Sequence, residues 1–322
     1  MRSTDFLHKD AETRLCEHYL AAGAVSKLST NSEQVLDAAR DTFLRIALPR
    51  GPIDFSLRFW VDDADRSQPP WPTPYVRGLD HLVFIGLDAR SSMLANLRTR
   101  HVIGRFSIAM ASDAAYWRMI IFPMLLSVLA GSVGIVELHA ACVATNELGL
   151  ILVGPTRSGK STLARALTDA GFSLLSDDRT FCSVNDGKLM AWGLARPLKL
   201  RREAASWFDE LRDREPTDFQ NGEPVFHFEP EARVRNCEPR LLVFLEQQQD
   251  SGFDVKSIRS SHARSRIEKD LLAEAPDAIR KQAKPLEELL SLPCCVLRYG
   301  GRPQVIAEQL ADSFRNLFEC RS

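Results

Sequence analysis

Eight consecutive residues, Gly154-Pro155-Thr156-Arg157-Ser158-Gly159-Lys160-Ser161, fit the pattern G-x-x-x-x-G-K-[ST] without a gap. Glycines at both ends let the backbone close around phosphate oxygens. Successive N–H groups then donate to those oxygens, and the helix that follows adds the positive end of its dipole. In such a loop Lys160 acts as a point charge on the outer phosphates, and the Ser161 hydroxyl completes a Mg²⁺ site. Thr162 adds a backbone N–H in the first helical turn. Arg157 is expected to face solvent. The phosphates of a nucleotide, with Mg²⁺, are therefore the expected ligands.

A second stretch supplies acids. Phe172 to Asp178 reads as an apolar strand ending in two carboxylates, Asp177 and Asp178. One such carboxylate suits Mg²⁺ or its water shell. Neighbouring side chains on extended backbone point opposite ways, so the second can face an acceptor hydroxyl and take its proton. Taken alone, Asp-Asp at a strand end is more often a turn or cap signal; the phosphate loop upstream reverses that reading. His139 lies on the strand-like segment Val136 to Thr145. A single strand histidine is ordinarily a satisfied core group.

These groups need elements to hold them. Leu150 to Val153 reads as a buried strand before the loop, and the segment from Lys160 to about Gly171 as an amphipathic helix. Further on, Arg240–Gln247 and Cys294–Gly301 look like strands, and Arg266–Leu292 and Pro303–Phe318 are helical in period. Strands alternating with helices predict an α/β sheet with ligands beyond the strand ends. Residues 1–95 read as a separate α+β accessory region. It has a helix over Glu33–Leu48, strands over Phe55–Val61 and Asp80–Leu87, and a Pro-rich loop over Ser67–Tyr75. Residues 96–322 form the second domain in this reading.

Composition narrows the class. Basic and acidic residues nearly cancel, 41 against 42, so no global field favours nucleic acid or an anionic membrane, and neither is expected as a partner. The charged start of the sequence resembles no signal peptide. Seven cysteines without metal-ligand spacing read as reduced thiols, so a cytoplasmic location is expected. The uncharged stretch Met119–Val136 has the length of a membrane span. Gly131, Ser132 and Gly134 interrupt it, and it is read as a buried helix, a turn and a strand. The Arg-rich run Ile258–Lys269 reads as a solvated face.

Taken together, His139, the loop Gly154–Ser161, Gly171 and the pair Asp177-Asp178 resemble the catalytic domain of HPr kinase/phosphorylase. The similarity covers residues 135 to 200 most clearly. It implies a P-loop kinase of the phosphoenolpyruvate-carboxykinase-like type. Asp178 would be the base, His139 would support the site, and Glu203 would be a further Mg²⁺ ligand beside Ser161 and Asp177. Glu203 lies in a segment that departs from the family pattern. The family's later catalytic arginine has no firm counterpart among Arg240, Arg264 and Arg266. The sequence looks like a divergent member, similar to kinases that phosphorylate a serine of lasso-peptide precursors. The expected function is transfer of the γ-phosphoryl group of ATP to a serine-type hydroxyl of a peptide or small protein. A small-molecule kinase or carboxykinase-like enzyme, and an ATP-responsive binding protein without transfer, are the alternatives. Homo-oligomerisation is left open.

Overall fold

Buried and outward side chains alternate along Ala24–Thr30 and Phe55–Asp62, the pattern of strands covered on one face. The computed structural model describes residues 12–49, 51–62, 68–194, 196–220, 222–268, 271 and 276–318. The fold is mixed α/β with several sheets. The described residues divide into two units, one up to Ile135 with 276–282, the other from Val136 through 271 with Ala283 onward.

The first unit holds β1 (Leu15–Ala21), β2 (Ala24–Thr30), α1 (Glu33–Thr42), β3 (Leu44–Ile46), β4 (Phe55–Asp62), β5 (Tyr75–Leu79), β6 (Leu82–Gly86), β7 (Ser92–Asn96) and β8 (His101–Ser107). Its eight strands form one sheet in the order β3-β1-β2-β4-β8-β7-β6-β5. The expected helix over Glu33–Leu48 stops at Thr42. Phe43 turns extended and sets its ring edge-on to Phe122 at 4.9 Å, and Leu44–Ile46 then pair with β1. The expected boundary at residue 95 falls inside β7, whose residues pair with both β6 and β8, so the first unit continues to Ile135.

After β8 come α2 (Ile108–Ser112), α3 (Ala114–Tyr116), a π-helical turn (Trp117–Ile121), α4 (Phe122–Ala130) and a 3₁₀ turn that ends at Gly134. Gly134 sits at φ +78°, where a side chain would be strained. Buried Trp117 packs its ring among Phe59, Phe106 and Phe122. Ala114–Val133 is long and apolar enough to cross a membrane by length and composition, and 56% of its apolar window is buried in the protein.

The second unit holds β9 (Val136–Leu138), β10 (Ala140–Thr145), β11 (Leu148–Val153), α5 (Lys160–Asp169), β12 (Ser173–Ser176), β13 (Thr180–Asn185) and β14 (Lys188–Trp192). A small three-stranded sheet follows, β15 (Leu198–Arg201), β16 (Asp218–Gln220) and β17 (Glu223–Phe228), with short helices α6 (Arg202–Ala205) and α7 (Asp209–Arg212) between its strands. Then come β18 (Asn236–Gln247), β19 (Gly252–Ser257), α8 (Ser260–Ile267), α9 (Pro276–Ser291), β20 (Cys294–Gly300) and α10 (Pro303–Phe318). Residues 269–270 and 272–275 of the expected helix Arg266–Leu292 lie outside the described residues, as do the start of the sequence and Cys320.

The main sheet runs β12-β10-β11-β18-β14-β13-β9, with β20 also on β18 and β19 on β20. β11, β18 and β20 are parallel neighbours. Leu163 and Leu167 of α5 and Phe314 of α10 fill one core with Leu150, Leu152 and Val243. Phe314 meets Phe172 edge-on at 5.7 Å, a geometry that adds roughly 0.5–1.5 kcal/mol to area burial. A second core gathers Ile151, Leu242, Phe244 and Leu289.

Candidate functional site

The phosphate-type loop is a product of where β11 ends. β11 lies between β10 and β18, its residues from Gly149 onward are buried, and the chain leaves it at Val153 into α5. Within the loop the Ser158 N–H donates to the Pro155 carbonyl at 3.1 Å, and Arg157 and Gly159 both take positive φ, +69° and +85°. A Cβ on Gly159 would run into the Tyr299 hydroxyl and the Gln247 amide. Tyr299, near the end of β20, donates its hydroxyl to the Ser158 carbonyl at 2.8 Å and holds the loop from below. Burial pushes that phenol up to about 12, so it stays a donor.

Lys160 is buried, with Nζ donating to the carbonyls of Gly154 at 2.6 Å and Pro155 at 3.1 Å. Its charge is thus centred on the loop. Arg157 is exposed, as expected, and also pairs with Glu223 of β17 at 2.8 Å; Glu223 in turn pairs with Arg201. The exposed loop is strapped to the small sheet through one carboxylate.

Two strand pairs bend at one place to bring the other groups in. β9 pairs with β13 and β10 with β12, so the chain passes between these ladders at His139 on one side and at Asp177 to Arg179 on the other. His139 is therefore not within a strand, as the sequence led one to expect, but at the joint between two. There its Nε2 lies 3.0 Å from Asp178 Oδ1. Beside them Arg179 pairs with Glu137 at 2.6 Å, and the Thr180 hydroxyl donates to the Ala140 carbonyl at 2.9 Å.

The consecutive acids sit in opposite electrostatic settings. The hydrogen bond from His139 holds Asp178 down to about 2. Burial pushes Asp177 up to about 6, against the Ser161 hydroxyl and the Lys199 N–H, which favour its charged form. The Lys199 N–H donates to Asp177 Oδ2 at 2.8 Å. Oδ1 is buried with no partner of hydrogen-bond geometry, although the Ser161 hydroxyl lies close enough to act on the carboxylate. An orphaned carboxylate oxygen beside a hydroxyl suits Mg²⁺, which takes one or two protein ligands and completes its shell with phosphate and water oxygens.

A cavity of about 750 Å³ gathers these residues, a volume within the range of small-molecule sites. Thr156, Arg157, Gly159, Lys160, Ser161 and Thr162 line it, while Gly154, Pro155 and Ser158 shape the loop behind. His139, Asp177, Asp178 and Glu203 line it too. Among the described residues, no group of three or more His, Cys, Asp or Glu gathers as a metal-holding cluster. Arg240, Arg264 and Arg266 are instead engaged by Glu238, Glu268 and Glu246. The cavity's arginines include Arg179, Arg196, Arg201 and Arg202, and its wall carries Trp207, 44% exposed. None of these five stands in one of the motifs that the sequence displays. Arg179 directly follows the acid pair, which was the one local signal available for it.

No family model and no curated protein matches the sequence. Among solved structures the chain is similar to the Hpr(Ser) kinase/phosphatase from Coxiella burnetii. The identity is 15%, over 57% of this chain and 99% of that one, with a TM-score of 0.30. A likeness of that size carries no argument about the site, whose chemistry rests on its own geometry.

Proposed function

We propose that the protein transfers the γ-phosphoryl group of ATP, with Mg²⁺, to a serine-type hydroxyl of a peptide or small protein. One observation carries this reading: a G-x-x-x-x-G-K-S loop at a strand–helix junction shares its cavity with Ser161, Asp177 and the His139–Asp178 pair. The loop amides and Lys160 bind and neutralise the phosphate chain. Ser161 and Asp177 would hold Mg²⁺, whose chemistry is to screen charge on the transferring group. His139 orients Asp178, which receives the acceptor proton as the new oxygen–phosphorus bond forms and the bond to the ADP oxygen breaks. A carboxylate held near 2 is a weak base. That suffices where the transition state is loose and positioning dominates.

The test is to incubate the protein with ATP, Mg²⁺ and a library of serine-containing peptides, beside a separate metabolite pool, and read added phosphate by mass spectrometry. Phosphorylated peptides from the parent protein and none from Lys160→Ala support the proposal. Transfer by Lys160→Ala at the parental rate, or phosphate appearing only on metabolites, overturns it.

A further inference from the structure

Arg165 is a charge buried where an apolar side chain would fit. It lies on α5, in the core where Leu163 and Leu167 pack with Leu198 and Leu200 of β15 and Phe226 of β17. Its guanidinium carbon stands 4.0 Å from the ring centre of Phe228 and 4.9 Å from that of Phe208. One terminal nitrogen donates to Asp169 on the same helix, the other to Glu210 of α7 at 2.5 Å, and Nε is buried without a hydrogen-bond partner. A buried cation with one N–H unmet is a poor stabiliser, since apolar residues of similar volume often do as well or better. What the guanidinium adds is direction. Apolar packing tolerates sliding, whereas a planar fork held between two rings and two carboxylates fixes a position.

The position it fixes is that of the small sheet against α5. Phe228, stacked on Arg165, is paired directly opposite Leu198 in the β15–β17 ladder. The next residue of β15 is Lys199, whose main-chain N–H donates to Asp177 Oδ2 at 2.8 Å. At the other end, Ser161 lies four residues before Arg165 on α5, one turn away on the same face. Its hydroxyl is close enough to act on the Asp177 carboxylate. The contacts thus close a circuit from Ser161 through Arg165, Phe228 and Lys199 to Asp177.

We infer that Arg165 is a positioning residue that sets the gap between Ser161 and Asp177, the two groups proposed to hold Mg²⁺. The inference rests on the phosphoryl-transfer reading of the cavity. Arg165 does not line that cavity and acts only through the circuit. The bridge from Arg157 through Glu223 to Arg201 also joins the small sheet to the loop, but its members are exposed, and exposed ion pairs are weak and screened by salt. The buried fork is the contact able to hold the register.

Three variants of the full chain separate this role from packing. Arg165→Met fills the space without the fork, Glu210→Gln removes the partner on α7, and Asp169→Asn removes only the partner on α5 itself. Two quantities are measured for each: hydrogen exchange at the Lys199 amide, and the Mg²⁺ concentration giving half-maximal ATP binding in titration calorimetry. Losing a group that orients a metal-binding carboxylate lowers metal affinity about 10–100-fold, so Arg165→Met should raise the Mg²⁺ requirement about tenfold and Glu210→Gln about threefold. Both should speed exchange at Lys199, and Arg165→Met should keep an unfolding temperature near the parent's. Asp169→Asn should match the parent in both quantities to within about twofold, since an i,i+4 pair on one helix contributes little.

Unchanged exchange and Mg²⁺ requirement in Arg165→Met and Glu210→Gln, or equal changes in Asp169→Asn, overturn the inference. Faster exchange with an unmoved Mg²⁺ requirement overturns it too, by confining Arg165 to packing. Should Arg165→Met lose its unfolding transition, Glu210→Gln against Asp169→Asn decides by the same criteria. A parent that binds no ATP at any Mg²⁺ concentration overturns the phosphoryl-transfer reading and this inference with it, a failure told apart by its presence in the parent.

Discussion

Asp177 and Asp178 are adjacent in sequence and far apart in chemistry. Burial lifts Asp177 from 3.8 to about 6, so its charge costs stability in the folded protein. The acid is neutral in both states below about pH 4, and stability is lost as pH rises from there through 6. Asp177→Asn should therefore raise the unfolding temperature above pH 6, with the gain closing toward pH 4, in calorimetry across that range. The same variant should lose Mg²⁺-dependent nucleotide binding, and in the parent the Mg²⁺ requirement should climb as pH falls below 6. Asp178 is the opposite case, held ionised by His139. Asp178→Asn should bind nucleotide within about twofold of the parent, while transfer falls by about 10²–10⁴, the usual worth of a positioned proton acceptor. Equal losses of binding and turnover would assign Asp178 to the metal instead.

At the scale of elements, the loop depends on what stands behind it. Gly159→Ala would push a methyl group at positive φ into Tyr299, and should weaken nucleotide binding more than tenfold by titration calorimetry. Tyr299→Phe removes the hydrogen bond to the Ser158 carbonyl, together with the hydroxyl that faces the Gln247 amide, and should cost about 1 kcal/mol in denaturant unfolding. The β11–loop–α5 unit was readable from sequence because an apolar run, a fixed glycine spacing and a helical period all agree there. The support for Asp177 was not, because its donor is the Lys199 main-chain N–H, and every residue type but proline offers one. Tyr299 reaches the loop through a parallel ladder between distant segments, which local pattern does not encode. The end of the helix at Thr42 was missed for a related reason: Phe43 follows a tertiary ring contact rather than its own propensity.

For the molecule as a whole, the division at Ile135 rather than residue 95 means that each unit brings its own sheet. Calorimetry should resolve more than one transition, and ATP with Mg²⁺ at a hundred times its Kd should add about 2.7 kcal/mol to the unit holding the loop. A single transition unmoved by nucleotide would contradict both statements. Fold class was legible because alternation and period survive in any long segment. The boundary was not, because β7 looks the same in sequence whether it ends a domain or lies inside a sheet. The joint where β9 becomes β10 and β12 becomes β13 sets how the protein tolerates changes of length. One residue inserted between Ser176 and Asp177 would shift the two acids by a position and turn the wrong carboxylate toward the imidazole, while the apolar cores on either side of the sheet survived. Such an insertion should yield a folded protein that is chemically silent, so lineages of this chain should vary in length almost anywhere before they vary there.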